Sequence, residues 1–151
     1  MKPIHVEHQV AASPAMVMAT ATDFPNCANY ISGIEKFELL TEGPVGVGTR
    51  FKETRIMFKK ESTETMEITA FDPNSGYTIE AESCGSRYIT EFRYAPKDGG
   101  TLMSMDMQVL PQTFLAKIMV VVFAPMMNKM CGLILRDFEE VGVEAIAREK
   151  G

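Results

Sequence analysis

Apolar positions recur every second residue through most of the first 110 residues, and every third or fourth residue after that. A period of two marks a strand with one buried face. A three–four step marks a helix with one buried stripe. Ile4, Val6, His8 and Val10 alternate with His5, Glu7 and Gln9, which predicts a half-buried strand over 4–10. Ser13-Pro14 then opens a helix, with serine as N-cap and proline at the first helical position, where its missing N–H is no loss. Val17, Ala21 and Phe24 would face inward. A second short helix is expected over 25–30, ended by Ser32-Gly33.

Strands are expected next over 34–41, 49–58, 61–71, 77–83, 86–95 and 101–110. The turns between them are short and rich in Gly, Pro, Asn and Asp, so neighbouring strands should pair antiparallel. The glycine-rich stretch 43–48 lacks the Gly-Lys-Ser/Thr and following helix of a phosphate loop. Pro111 stops the last strand, and one long helix is expected over 112–151. Its second half carries the stripe Met127, Cys131, Ile134, Phe138, Val141 and Ala145, while Arg136, Glu139, Glu140, Glu144 and Arg148 mostly fall off it. Residues 115–127 are nearly all apolar, Lys117 being the only charge. Pro125 should bend the helix there. The order strand, two helices, six strands, long helix predicts an α+β fold of one domain over 1–151. Its seven strands form an antiparallel sheet and the long helix lies on one face.

The inward faces carry the candidate chemistry. Charged faces cannot be buried unpaired. Tyr77, Ile79, Ala81 and Ser83, then Tyr88, Thr90, Phe92 and Tyr94, then Met103, Met105 and Met107 should therefore turn toward the helix. Such a surface is either a packed core or the wall of an adaptable apolar pocket with a few placed polar groups. The ligand-contact candidates on the sheet are Phe51, Met66, Tyr77, Ile79, Tyr88, Thr90, Phe92, Met103, Met105 and Met107. From the helix come Phe114, Ile118, Phe123 and Met127. The segment before Pro125 is expected to wall the cavity near its mouth, flanked by the 43–48 loop. On two strands a charged set shares a face with apolar residues: Glu53 and Arg55 with Phe51 and Met57, and Glu64 with Ser62, Met66, Ile68 and Ala70. Either these charges enter the cavity as a cluster, or the strand tips twist outward and they meet water. The opposite face of 49–58, Arg50, Lys52, Thr54, Ile56 and Phe58, is no better as a core. Arg55, Glu53, Glu64 and Tyr88 are the catalytic candidates, for a site that would orient a reactive chain and stabilise an enolate.

Charge and cysteine use narrow the classes. The net charge of -5 over 151 residues argues against a nucleic-acid backbone as partner, since such binders need a basic patch and the only basic doublet is Lys59-Lys60 at an expected turn. Cys27, Cys84 and Cys131 lie far apart without metal-ligand spacing, and His5 and His8 point to opposite faces of their strand. No metal or cofactor is expected, and the thiols read as those of a cytoplasmic protein. The uncharged run 118–128 is about half of the roughly 20 residues that span a bilayer. It is expected to be buried or to line the cavity, and no stable membrane insertion is expected. A protein-interaction module would need an exposed apolar patch, which only 118–123 could supply.

Ala12-Ser13-Pro14 through Asp23 to Tyr30, Gly43-Pro44-Val45-Gly46-Val47-Gly48-Thr49, Phe71-Asp72-Pro73 with Tyr77, Gly99-Gly100-Thr101 and the closing helix occur in this order along the chain. Together they resemble the START-like superfamily of polyketide cyclase/dehydrases and lipid-transfer proteins. The resemblance implies a helix-grip fold, a curved seven-stranded antiparallel sheet wrapped around the long C-terminal helix, and an internal cavity for a hydrophobic small molecule or lipid. It implies binding or transport, cyclase or dehydratase chemistry, or a chaperone co-activator role, without choosing among them. The chain has no Trp, where many members carry one at the place of Tyr30 and another near Met105. No residues match a cyclase's catalytic set.

Overall fold

Two tight hairpins and one helix cap set the frame. The computed structural model describes residues 3–57 and 59–151. Among these, β1 (Ile4–Val10), β2 (Ile34–Leu39), β3 (Arg50–Met57), β4 (Lys60–Asp72), β5 (Gly76–Ser83), β6 (Ser86–Lys97) and β7 (Gly100–Pro111) form one antiparallel sheet in the order β1-β7-β6-β5-β4-β3-β2. The expected last residue of the third strand, Phe58, lies outside the described residues. Cys84-Gly85 and Asp98-Gly99 are two-residue hairpin loops with positive φ at both positions. That geometry matches the twist of the flanking strands. It also lets β6 and β7 run further into the 96–100 turn than the sequence pattern suggests.

Between β1 and β2 lies α1 (Pro14–Ala21). The Ser13 side chain accepts a bond from the Met16 N–H at 3.3 Å, as the Ser-Pro signal predicts. The expected second helix is a single 3₁₀ turn, Cys27–Asn29. The closing element divides into α2 (Phe114–Val122), a 3₁₀ turn at Ala124–Met126 and α3 (Met127–Lys150), with α2 and the following helix bent by 53°. Proline at position 125 removes a helical N–H, and the break falls there.

The last two turns of the α3 stripe seat the helix. Phe138, Val141 and Ala145 are buried, each large side chain contributing about 1.5–3 kcal/mol. Gly142 lets the helix axis approach β1: a Cβ there would stand 2.8 Å from Val10 Cγ2. The polar side of α3 clasps the opposite layer. Glu140 accepts from the Ser32 hydroxyl at 2.9 Å and Glu149 from the Ser13 N–H at 2.8 Å. Arg148 reaches Asp23 at 2.7 Å and stacks over the Tyr30 ring. At the other end Met127, Cys131 and Ile134 are only half-buried. There α3 covers the sheet without filling the space beneath it.

Two irregularities re-aim side chains. The register of β4 shifts between Ile68 and Ala70. Ala70, expected inward, is exposed, and Phe71 packs against the core instead. The 43–48 loop is tied down by Gly48 N–H to the Ile68 carbonyl at 2.8 Å and by Val45 against the core.

Candidate functional site

A cavity of about 240 Å³ lies between the inner faces of β3–β7 and the first turns of α3. Met57, Met66, Ile79, Ala81, Tyr88, Thr90, Met107 and Met130 form its apolar walls, and Glu53, Arg55, Ser62 and Glu64 its charged end. Strand register explains the grouping. Glu53 lies opposite Glu64 and Arg55 opposite Ser62, while Met66, Ala81 and Tyr88 line up across β4, β5 and β6. Ile79, Thr90 and Met107 form the next row. The ambiguous strand 49–58 thus turns Phe51, Glu53, Arg55 and Met57 inward, and leaves Lys52 and Ile56 to solvent.

The charges are tolerated because they are paired. Arg55 Nε donates to Glu53, and its Nη2 lies 2.6 Å from Asp137 Oδ2. Burial works against the Arg55 charge, but Glu53 and Asp137 outweigh it and hold the guanidinium protonated. Asp137 comes from α3 and is itself buried. Burial raises its carboxyl above the ordinary range, Arg55 opposes this, and Glu53 and Glu140 add to it. Its second oxygen, Oδ1, is enclosed without a hydrogen-bond partner among the described residues. Gly33 permits this packing: a Cβ there would come within 3.0 Å of Arg55 Nη1 and 3.3 Å of Asp137 Oδ1. Glu64 accepts a bond from the Ser83 hydroxyl at 3.0 Å. Burial raises the Tyr88 phenol, with further contributions from Cys84 and Glu64, so it faces the cavity as a neutral donor.

All but one of the residues singled out from sequence fall into three groups, the exception being Met105. Met66, Ile79, Tyr88, Thr90 and Met107 line the cavity together with Glu53, Arg55 and Glu64. Phe51, Tyr77, Phe92 and Met103 border a deeper void of about 110 Å³, which shares Glu53, Arg55 and Ile79 with the first. Stacking fills most of that deep end: Phe24, Phe37 and Phe51 lie 4.7–5.0 Å apart, and Tyr77 stacks on Phe92 at 5.0 Å. Met105 is buried and borders neither void.

The third group, Phe114, Ile118, Phe123 and Met127, lines neither void. Nor does the 43–48 loop. The segment before Pro125 is neither buried nor a cavity wall. It lies on the outside, because the bend swings α2 away from the sheet and only Ala116 is buried against it. Asp137 is the residue that sequence reasoning passed over. It stands three residues after Ile134 and four before Val141, so it shares the buried face of α3. Its spacing was the available signal.

Among the described residues, no group of three or more His, Cys, Asp or Glu is placed to hold a metal ion. The family model described as polyketide cyclase / dehydrase and lipid transport matches residues 1–141. The chain belongs to this family. Solved structures of similar fold include a Thermus thermophilus protein, with TM-score 0.79 and 16% identity over 97% of this chain and 98% of that one. A norcoclaurine synthase point mutant of Thalictrum flavum, in complex with a transition state analogue, has TM-score 0.76 and 16% identity over 98% and 96%. The di-domain ARO/CYC protein of the steffimycin biosynthetic pathway has TM-score 0.79 and 9% identity, over 99% of this chain and 52% of that one. These likenesses establish the helix-grip fold. No curated protein matches the chain.

Proposed function

We propose that this member of the polyketide cyclase / dehydrase and lipid transport family binds a small hydrophobic molecule between the sheet and the first turns of α3. The molecule's polar end would sit at Glu53, Arg55 and Glu64. The observation that carries this reading is an apolar, methionine-rich cavity closed at one end by paired, partly buried charges. Ligand sites have this composition. The volume of about 240 Å³ falls just under the usual span of roughly 300–1,000 Å³. A molecule of one or two rings therefore suits it better than a long acyl chain. The charge count also selects the polar end. Glu53, Glu64 and Asp137 stand against Arg55 alone, and Arg55 is already engaged on two sides. An acidic head would find no free cation, so the ligand's head donates hydrogen bonds or carries positive charge.

Calorimetry and native mass spectrometry with a matched aromatic series (amine, phenol, carboxylate) test both parts. The amine and phenol should bind and the carboxylate should not. Ala81→Phe, which fills the cavity, should weaken binding by about tenfold or more, equivalent to about 1.4 kcal/mol. If no member of the series binds, or Ala81→Phe leaves affinity unchanged, the cavity is not the site.

A second reading, a cyclase or dehydratase, draws support from one pair. Tyr88 is a neutral phenol and Glu64 a carboxylate, and both border the same void. A donor and an acceptor facing one substrate are the minimum for proton transfer. Tyr88→Phe and Glu64→Gln should then abolish turnover of a polyketide-like substrate while binding persists. Arg55→Ala is a poorer probe, because Glu53 and Asp137 would lose their cation and the fold would weaken with the site. Absence of turnover in the unsubstituted protein would leave binding as the function, and turnover that survives Tyr88→Phe and Glu64→Gln would take the chemistry away from this pair.

A further inference from the structure

The largest unexplained feature is the outward face of α2. Phe114, Leu115, Val121 and Val122 are 80%, 68%, 75% and 60% exposed, and Ile118, Met119 and Phe123 are exposed as well. At roughly 100° per residue, Phe114, Ile118 and Val121 share the side opposite the buried Ala116, and Leu115 and Val122 lie beside them. Leu110, at the end of β7, is also exposed. Contiguous apolar surface of this kind marks an interaction site, whereas scattered single residues do not. Packing within the fold does not explain it, since the 53° bend holds α2 off the sheet.

Charge chooses the partner. The protein carries a net charge of -5, yet residues 107–136 contain no Asp or Glu and three cations, Lys117, Lys129 and Arg136. Lys117 and Lys129 are exposed, one on α2 itself and one just past the bend. An apolar helix face flanked by lysines, on an otherwise acidic protein, matches a bilayer surface bearing anionic headgroups. Length decides how it sits there. Nine residues span about 14 Å, against a hydrocarbon core of about 30 Å. No single helix among the described residues is long and apolar enough to cross a membrane. A helix of this length suits the interface plane, and the 53° bend that separates it from the following helix breaks any longer span.

We propose that α2 docks the protein reversibly on anionic membrane surfaces, with Phe114, Ile118 and Val121 inserted among the headgroups and Lys117 and Lys129 on the lipid phosphates. The hairpin turn at Gly85, against which Thr113 and Ala116 pack, belongs to the strands that carry Ala81 and Tyr88. Docking therefore brings the cavity's end of the sheet toward the bilayer. The inference stands on the surface alone and holds whatever the cavity binds.

Flotation of the full chain with vesicles tests it. The protein should float with phosphatidylserine-rich vesicles and less with pure phosphatidylcholine, and added salt should release it. Phe114→Asp with Val121→Asp should reduce partitioning by at least about tenfold. Both positions are exposed, so the thermal midpoint should not move. Lys117→Glu should abolish the preference for phosphatidylserine while leaving residual phosphatidylcholine binding. Absence of binding to either vesicle overturns the proposal, as does binding that survives the double substitution. A concentration-dependent dimer that the double substitution dissociates, without vesicle binding, would assign the face to a second copy and equally overturn it.

Discussion

Arg55 shows how a charged side chain can sit on the inner face of a sheet. It is acceptable there because Glu53 from its own strand and Asp137 from α3 both engage it. Removing one member of such a cluster leaves the others uncompensated. Arg55→Met should destabilise the protein by about 3 kcal/mol, the lower end for a broken buried pair, since 23% of the side chain remains exposed. The pH dependence follows from the carboxyls. Asp137 has a folded pKa raised by burial. Its contribution to stability is fully present below the ordinary aspartate value and is lost as pH rises through the raised one. In Arg55→Met the same sign strengthens, so the deficit in urea denaturation should be largest near neutrality and should shrink as the carboxyls protonate in acid. The cysteines offer a second test at this scale. Burial pushes the Cys27 thiol up to about 12, whereas Cys84 is exposed in its hairpin loop. The thiolate is the reactive form. A thiol-labelling reagent should therefore modify Cys84 in the native protein and Cys27 only on unfolding.

At the level of elements, α3 is held where it crosses β1. The Cβ of Gly142→Ala would meet Val10 Cγ2 at 2.8 Å. Overpacking of this kind costs roughly 1–3 kcal/mol. Val10→Ala should relieve most of the added cost in the double variant, read as a non-additive shift of the thermal midpoint. Two independent and additive losses would mean that the helix already stands clear of the strand. What the sequence made legible divides along the same lines. β5, β6 and β7 alternate cleanly, so periodicity alone turns Ile79, Tyr88, Thr90 and Met107 to the inner face, where the structure has them. β3 mixes charge and apolar groups on both faces, and only its pairing with β4 and Asp137 decides which turns inward. The β4 bulge reverses Ala70 and Phe71, a shift that periodicity alone does not report. The role of Asp137 is not legible in the sequence, because a carboxylate within an apolar stripe reads as its edge until its cation, 82 positions earlier in the chain, is placed opposite. α2 misled for the opposite reason. A helix apolar on nearly every side reads as buried, but the bend at Pro125 denies it a surface to be buried against.

Taken whole, the molecule has its tight packing at one end and its free surface at the other. The aromatic stack of Phe24, Phe37 and Phe51 and the seated turns of α3 lie at the first. The cavity, the half-buried start of α3 and α2 lie at the second. This arrangement has a kinetic consequence. α2 is tethered at both ends, through Pro111 paired with Ser86 and through Met127 against the core, but little of its own surface is buried. Opening it needs neither the sheet nor the C-terminal turns of α3 to unfold. Its amide hydrogens should exchange with solvent deuterium as a fast island between two slow regions, β7 before it and residues 137–145 after it. Added phosphatidylserine vesicles should slow that island alone, and the Phe114→Asp, Val121→Asp variant should show no such protection. A helix that buries only Ala116 would then report the protein's surroundings through its exchange rate, while the sheet and the seated turns of α3 stay silent.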